Sequence, residues 1–187
     1  DLVRDRVAGA FLLATSAGDL VTSGLVGATV RIGSALHLVP VWLRVLRLFA
    51  PLLERSRKRG TRVGYFFYER YLFGCDDATP ELVHLVQDLL EACPMTTSAA
   101  FYPAFLAHDE TASLPVLAQV PTTVLVGECD RLTPASHSRR MAQDLGPDVE
   151  LVVVPGAGHS VNITRQAVVD EALLALLDRA SARAGAA

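Results

Sequence analysis

Two short runs rich in β-branched residues constrain this chain more than anything else in it: Thr122-Thr123-Val124-Leu125-Val126 and Val149-Glu150-Leu151-Val152-Val153-Val154. Each is nearly uncharged, the pattern of a strand buried on both faces of a parallel sheet. The helix-sized segment between them carries its own punctuation. Thr133 can cap its start, Pro134 suits the first helical position, and Gly146 can close the end. Strand, helix and strand within about thirty residues make a βαβ unit, whose crossover is almost always right-handed.

A third run of the same kind, residues 7–15, follows a charged turn of helix (Arg4, Asp5, Arg6) and precedes a Ser/Gly/Asp break. After the last strand, residues 167–180 place apolar side chains at 169, 172, 173 and 176, one helical face against a sheet. Residues 181–187 are small and polar enough to fray. The middle reads differently. Thr79-Pro80-Glu81 opens a helix whose apolar positions 82, 85, 86, 89 and 90 follow helical spacing, and residues 41–53 are helical in character too. Residues 63–68 are the strand candidate there, although Arg62, Glu69 and Arg70 fit an amphipathic helix as well. The expected division is a core strand in 1–18, a helical insertion over 19–113, and a carboxyl-terminal core in 114–187.

With 51% hydrophobic and 20% charged residues, the 187-residue chain is not a disordered one, and some of its surface must be unusually apolar. A net charge of −3 argues against a general nucleic-acid binder. The basic cluster Arg55-Ser56-Arg57-Lys58-Arg59, with Arg62 nearby, reads as a solvated helix end before Gly60. The most apolar long stretch, residues 36–53, contains Arg44, Arg47, Pro40 and Pro51, so stable membrane insertion is not expected. The three cysteines, Cys75, Cys93 and Cys129, are odd in number and share no metal or redox spacing. They are expected as free thiols in a reducing, cytoplasmic setting. The opening Asp-Leu-Val-Arg-Asp-Arg has neither signal-peptide pattern nor initiator methionine, which suggests truncation.

Chemistry concentrates at the ends of the two late strands. Asp130 stands just past the first and His159 just past the second, where open α/β sheets place their sites. Parallel neighbours lie about 4.8 Å apart, so the two loops can bring carboxylate and imidazole together. A histidine can take a proton from a hydroxyl and return it to a leaving group, while the carboxylate fixes its tautomer and stabilises the imidazolium. Alone, Asp130 could be a cap for the following helix and His159 an ordinary loop histidine; together, at consecutive strand ends, they point to an acid–base pair.

The segments Val120-Pro121-Thr122-Thr123-Val124-Leu125-Val126-Gly127-Glu128-Cys129-Asp130, with Pro134, and Pro155-Gly156-Ala157-Gly158-His159 resemble the α/β-hydrolase fold enzymes, and the resemblance covers the whole chain. It implies a parallel-sheet half of an α/β-hydrolase core, with the triad acid at Asp130 and the base at His159. The helical middle then looks like the cap inserted after the sixth strand, which shapes the acyl or leaving-group pocket, and residues 1–15 look like the end of a helix and that strand. The nucleophile elbow belongs to the preceding strand, placed upstream of residue 1, with the oxyanion-hole loop earlier still.

Ala14-Thr15-Ser16-Ala17-Gly18 is one Gly-to-Ala change from the Gly-x-Ser-x-Gly elbow. Three features argue against Ser16 as nucleophile. Alanine occupies a position that wants minimal bulk; the helical middle offers no further strand before the acid-bearing one; and fifteen upstream residues are too few for an oxyanion donor. The neighbours His108-Asp109-Glu110 would diverge on a helix and more naturally mark the exit of the insertion. His37 and His84 sit in apolar helical stretches, and His137 lies early in the helix after the acid loop, where it could line the site. Tyr65, Phe66, Phe67, Tyr68, Tyr71, Phe73, Phe101, Tyr102 and Phe105 could build an apolar pocket or simply fill the core of the insertion.

The expected function is therefore the Asp-His part of a triad in an esterase- or lipase-like hydrolase acting on a small apolar acyl substrate. The partner required is the missing amino-terminal half of the fold; no cofactor, metal or nucleic acid is called for. Two alternatives remain open: an upstream aspartate nucleophile, as in the family's dehalogenases and epoxide hydrolases, and a non-catalytic binding or assembly module completed by another chain.

Overall fold

The computed structural model describes residues 2–18, 20, 39–57, 61–75 and 78–185. Helix α1 (Leu2–Arg6) leads into strand β1 (Ala10–Leu13). A helical insertion follows: α2 (Val39–Arg57), α3 (Thr61–Tyr68) continuing into a π-helical turn (Glu69–Phe73), α4 (Pro80–Glu91), α5 (Met95–Leu106), a 3-10 turn (Thr111–Ser113) and α6 (Leu114–Leu117). Then come β2 (Thr122–Gly127), α7 (Ala135–Leu145), β3 (Glu150–Val154), α8 (Val161–Thr164) and α9 (Gln166–Gly185). Residues 63–68, open between strand and helix in the sequence, are helical within α3.

The three strands form one parallel sheet in the order β1-β2-β3. Their register places Leu12, Val124 and Leu151 in one row and Leu13, Leu125 and Val152 in the next. Adjacent rows point to opposite faces of a sheet. Accordingly the first row packs with Met141 and Leu145 of α7 and with Leu114, while the second packs with Val161, Val169 and Ala172 beneath α9. Two covered faces explain why β2 shows no polar alternation.

The insertion has a separate small core of Leu72, Phe73, Val83 and Val86, with Tyr65, Tyr68 and Leu82 packed against it. The Thr79 hydroxyl accepts from the Leu82 N–H at 3.4 Å and Pro80 opens α4, as the punctuation predicts. The buried face of α4 differs from the expected one. Val83, Val86 and Gln87 are inside, whereas Leu85, Leu89 and Leu90 are exposed. The cause is the approach of α3, where Gly64 leaves room for the Gln87 amide, itself donating to Glu91 at 2.9 Å. The two ends of the insertion are pinned together at the exit of β1: His108 Nε2 lies 3.1 Å from the Ser16 carbonyl, and the Glu110 N–H donates to the Ala17 carbonyl.

Two further expectations are corrected. Cys75 and Cys129 are joined by a disulfide, with Cα atoms 5.8 Å apart, so of the three expected free thiols Cys93 alone stands outside a disulfide. The pairing escaped the sequence because it depends on where the π-helical turn lands, not on local spacing. The carboxyl-terminal segment does not fray after residue 180: α9 continues to Gly185. His37 and residues 58–60 of the basic cluster lie outside the described residues. Among the described residues, no helix is long and apolar enough to cross a membrane.

Candidate active site

The loops after β2 and β3 are tied to each other by backbone hydrogen bonds. Glu128 N–H donates to the Val154 carbonyl at 2.9 Å and Cys129 N–H to the Ala157 carbonyl at 2.8 Å. This ladder carries the strand register past the strand ends and sets Asp130 opposite His159. Asp130 Oδ2 is 2.9 Å from His159 Nδ1, with the carboxylate wholly buried and the imidazole 28% exposed. A carboxylate oxygen only accepts, so the hydrogen of this contact is on Nδ1, and in a neutral ring the lone pair is on Nε2. A neutral ring held this way can accept a proton at Nε2.

Asp130 is held on both oxygens. Oδ1 accepts from the Leu132 and Thr133 N–H groups, each at 2.9 Å, and Oδ2 also faces the Thr133 hydroxyl at 3.0 Å. These bonds close the turn before α7, and none reaches the helix itself, whose N-cap residue is Pro134. Thr133 is therefore not the cap that the sequence suggested. Its hydroxyl lies 2.9 Å from the Ala14 carbonyl and 3.3 Å from His159 Nδ1, inside the site. The signal that could have found it is its position three residues after the acid, where a short hydroxyl side chain returns toward the carboxylate.

The insertion touches both loops through residues 72–75. Ser160 N–H donates to the Leu72 carbonyl at 2.8 Å, immediately after the histidine. At Gly158, immediately before it, any Cβ would collide with the Phe73 carbonyl. Gly74 has φ +68, and a Cβ there would stand 2.6 Å from the Cys129 carbonyl. Beside it, the Cys75–Cys129 disulfide fastens the insertion to the residue preceding Asp130.

The other sequence candidates lie elsewhere. Ser16 is buried; its hydroxyl donates to the Gly18 carbonyl, accepts from the Gly18 N–H at 3.2 Å, and lies 2.9 Å from His137 Nδ1. The hydrogen bonds of His159 go to Asp130 and Thr133 instead. His137 thus meets Ser16, and His84 meets Tyr65 in a tilted ring contact with centroids 5.1 Å apart. Asp109 lies below the ordinary carboxylate range because the Thr111 hydroxyl and N–H bond to it, which makes it part of a turn. Of the aromatic set, Phe73 is fully buried, whereas Phe66, Phe67, Phe101 and Phe105 are exposed on the insertion. A cavity of about 310 Å³, bounded by Pro121, Thr122, Asp148, Arg179 and Arg183 among others, opens at the amino-terminal end of the strands, opposite the Asp130–His159 pair.

The sequence model of the Alpha/beta hydrolase family matches residues 1–171. Among solved structures, the chain is similar to a thermophilic esterase from Thermogutta terrifontis, at 25% identity and a TM-score of 0.63, over 95% of this chain and 58% of that one. A stretch of 90 residues is 36% identical to polyketide synthase ThaQ of Burkholderia thailandensis, covering 46% of this chain and 4% of that protein. Another of 62 residues is 40% identical to the dihydrolipoyllysine-residue acetyltransferase component of the acetoin cleaving system of Pseudomonas putida, covering 33% of this chain and 15% of that protein. The chain thus spans a little over half of the esterase and a small part of each curated relative it matches.

Proposed function

The chain belongs to the alpha/beta hydrolase family, and from that premise we propose that Asp130 and His159 are the acid and base of a triad that hydrolyses an ester of a small apolar acyl group. The observation that carries this reading is the 2.9 Å contact between Asp130 Oδ2 and His159 Nδ1 at the carboxyl ends of neighbouring parallel strands. Similarity to a thermophilic esterase supports ester hydrolysis as the reaction type.

In the proposed reaction, Asp130 keeps the proton on His159 Nδ1, so that Nε2 takes the hydroxyl proton as the nucleophile's oxygen attacks the acyl carbon. The bond to the leaving alcohol then breaks, and Nε2 returns the proton to that oxygen. Water repeats the cycle on the acyl-enzyme and releases the acid. The buried carboxylate stabilises the imidazolium formed at each step. The serine and the oxyanion donors are proposed to come from an amino-terminal half outside these 187 residues, since the Ser16 hydroxyl is engaged by Gly18 and His137. Residues 19–113 would act as the cap, and its exposed rings Phe66, Phe67, Phe101 and Phe105 suit an apolar acyl group.

Hydrolysis of p-nitrophenyl butyrate tests the reading. The chain alone should be silent, and the chain completed by an amino-terminal half carrying a nucleophile elbow should be active. His159→Gln in that complete protein should lower kcat by about 10²–10⁴, the usual scale of general acid–base catalysis. Undiminished turnover in His159→Gln would remove the proposal.

A further inference from the structure

We propose that Thr133 is a positioning residue whose single hydroxyl proton holds the Asp130–His159 pair in its working tautomer and ties that pair to the end of β1; the inference rests on the acid–base reading above. Thr133 is buried, and its Oγ1 stands 2.9 Å from the Ala14 carbonyl, 3.0 Å from Asp130 Oδ2 and 3.3 Å from His159 Nδ1. The hydroxyl has one proton and two lone pairs. Two of its neighbours, the carbonyl and the carboxylate oxygen, only accept, so it can serve just one of them at a time.

Rotation about the Cβ–Oγ1 bond selects between them. With the imidazole neutral, the carboxylate is the stronger acceptor, and the hydroxyl donates to Oδ2 alongside Nδ1–H. Two donors then fix that oxygen in line with Nδ1. When the imidazolium forms, its Nδ1–H draws harder on Oδ2. The hydroxyl proton turns to the Ala14 carbonyl, and the Oγ1 lone pair faces Nδ1–H as a second acceptor. No covalent bond changes and no proton leaves Thr133; the hydroxyl dipole follows the charge on the ring.

The Ala14 backbone supports this role. Ala14 has φ +43, a left-handed conformation that a residue with a Cβ adopts at a cost. It is fixed from both sides, because its N–H donates to the Leu125 carbonyl at 2.8 Å while its carbonyl meets Thr133. Strain at the exit of β1 thus coincides with the acceptor that the hydroxyl needs.

The test uses the 187-residue chain itself, labelled with ¹⁵N-histidine, and requires no turnover. Long-range ¹H–¹⁵N spectra report which ring nitrogen of His159 carries hydrogen, and solvent exchange reports how tightly it is held. The expected result is an Nδ1–H tautomer in the native chain. In Thr133→Val, which keeps the shape and loses the hydroxyl, the Nδ1 proton should exchange about tenfold faster, the scale of one hydrogen bond to a charged group, and Nε2–H should gain population. Thr133→Ser should stay within about twofold of native, since the hydroxyl bond is retained. Should Thr133→Val not fold, Thr133→Ala carries the same comparison. Native tautomer and exchange in the variant without the hydroxyl, or equal disturbance in Thr133→Ser, would overturn the inference. Asp130→Asn separates the two levels. If it abolishes the Nδ1–H preference while Thr133→Val does not touch it, the role of Thr133 alone falls. If Asp130→Asn changes nothing, the acid–base reading falls and takes this inference with it.

Discussion

In β2, Val124, Leu125 and Val126 have no exposed surface, whereas in the helical insertion Leu48, Leu89 and Phe101 are 75%, 65% and 70% exposed. Both regions are rich in apolar side chains, so composition does not separate them. Geometry does. A strand between two helical layers has its odd and even side chains covered alike, and the register of β1, β2 and β3 lines them up in rows. A helix in the insertion can bury only the stripe that a neighbouring helix covers. For α4 that stripe contains Gln87 and leaves out Leu89. β2 is thus covered on both faces, while the insertion, around its own small core, leaves much apolar surface outside and is fastened to the sheet region at residues 72–75, beside both loops of the candidate site.

The difference can be broken most sharply by equal substitutions in the two regions. Leu125→Ala should cost about 2–5 kcal/mol in urea denaturation, as expected when a buried leucine leaves a cavity. Leu89→Ala should stay within about 0.5 kcal/mol, as exposed positions do. Comparable losses at both would mean that the insertion buries Leu89 in solution. Next in size is the fastening. Cys75→Ser, which opens the link across 54 residues to Cys129, should lower stability by about 2–4 kcal/mol, the usual range for a disulfide closing a long loop. Non-reducing peptide mapping would check the bond directly, and a free Cys129 in the native protein would contradict it. Gly158→Ala should cost about 1–3 kcal/mol through overpacking, because the new methyl meets the Phe73 carbonyl. An unchanged urea midpoint would show that the insertion does not press on the histidine loop.

The smallest expected effect lies at the other junction. Thr111 holds Asp109 below the ordinary aspartate range, so its contribution to stability is present above the unfolded pKa of about 3.9 and is lost as the pH falls through the lower folded value. The difference in Tm between the native chain and Asp109→Asn should therefore be present near neutrality and shrink in acid. A difference that does not vary with pH would assign Asp109 a different role.

Strand positions and the meeting of Asp130 with His159 were legible in the sequence for one reason: both depend on chain-local patterns read at consecutive strand ends. β-Branched runs identify strands buried on both faces, and the loops that follow them have a direction fixed by parallel pairing. Thr133 was misread because a hydroxyl before Pro134 satisfies the helix-cap pattern equally well, and only the placement of Ala14 and His159 shows where it points. The Cys75–Cys129 pairing and the buried stripe of α4 were illegible for a related reason. Each depends on how the insertion lands on its neighbours, which no spacing within the segment encodes.

The central claim is that His159, held by Asp130, serves a nucleophile other than Ser16. Fluorophosphonate labelling of the active, complete protein, followed by peptide mass spectrometry, addresses it most directly. The account predicts one labelled serine outside residues 1–187, with labelling abolished in His159→Gln. A label on Ser16 that persists in His159→Gln would contradict it.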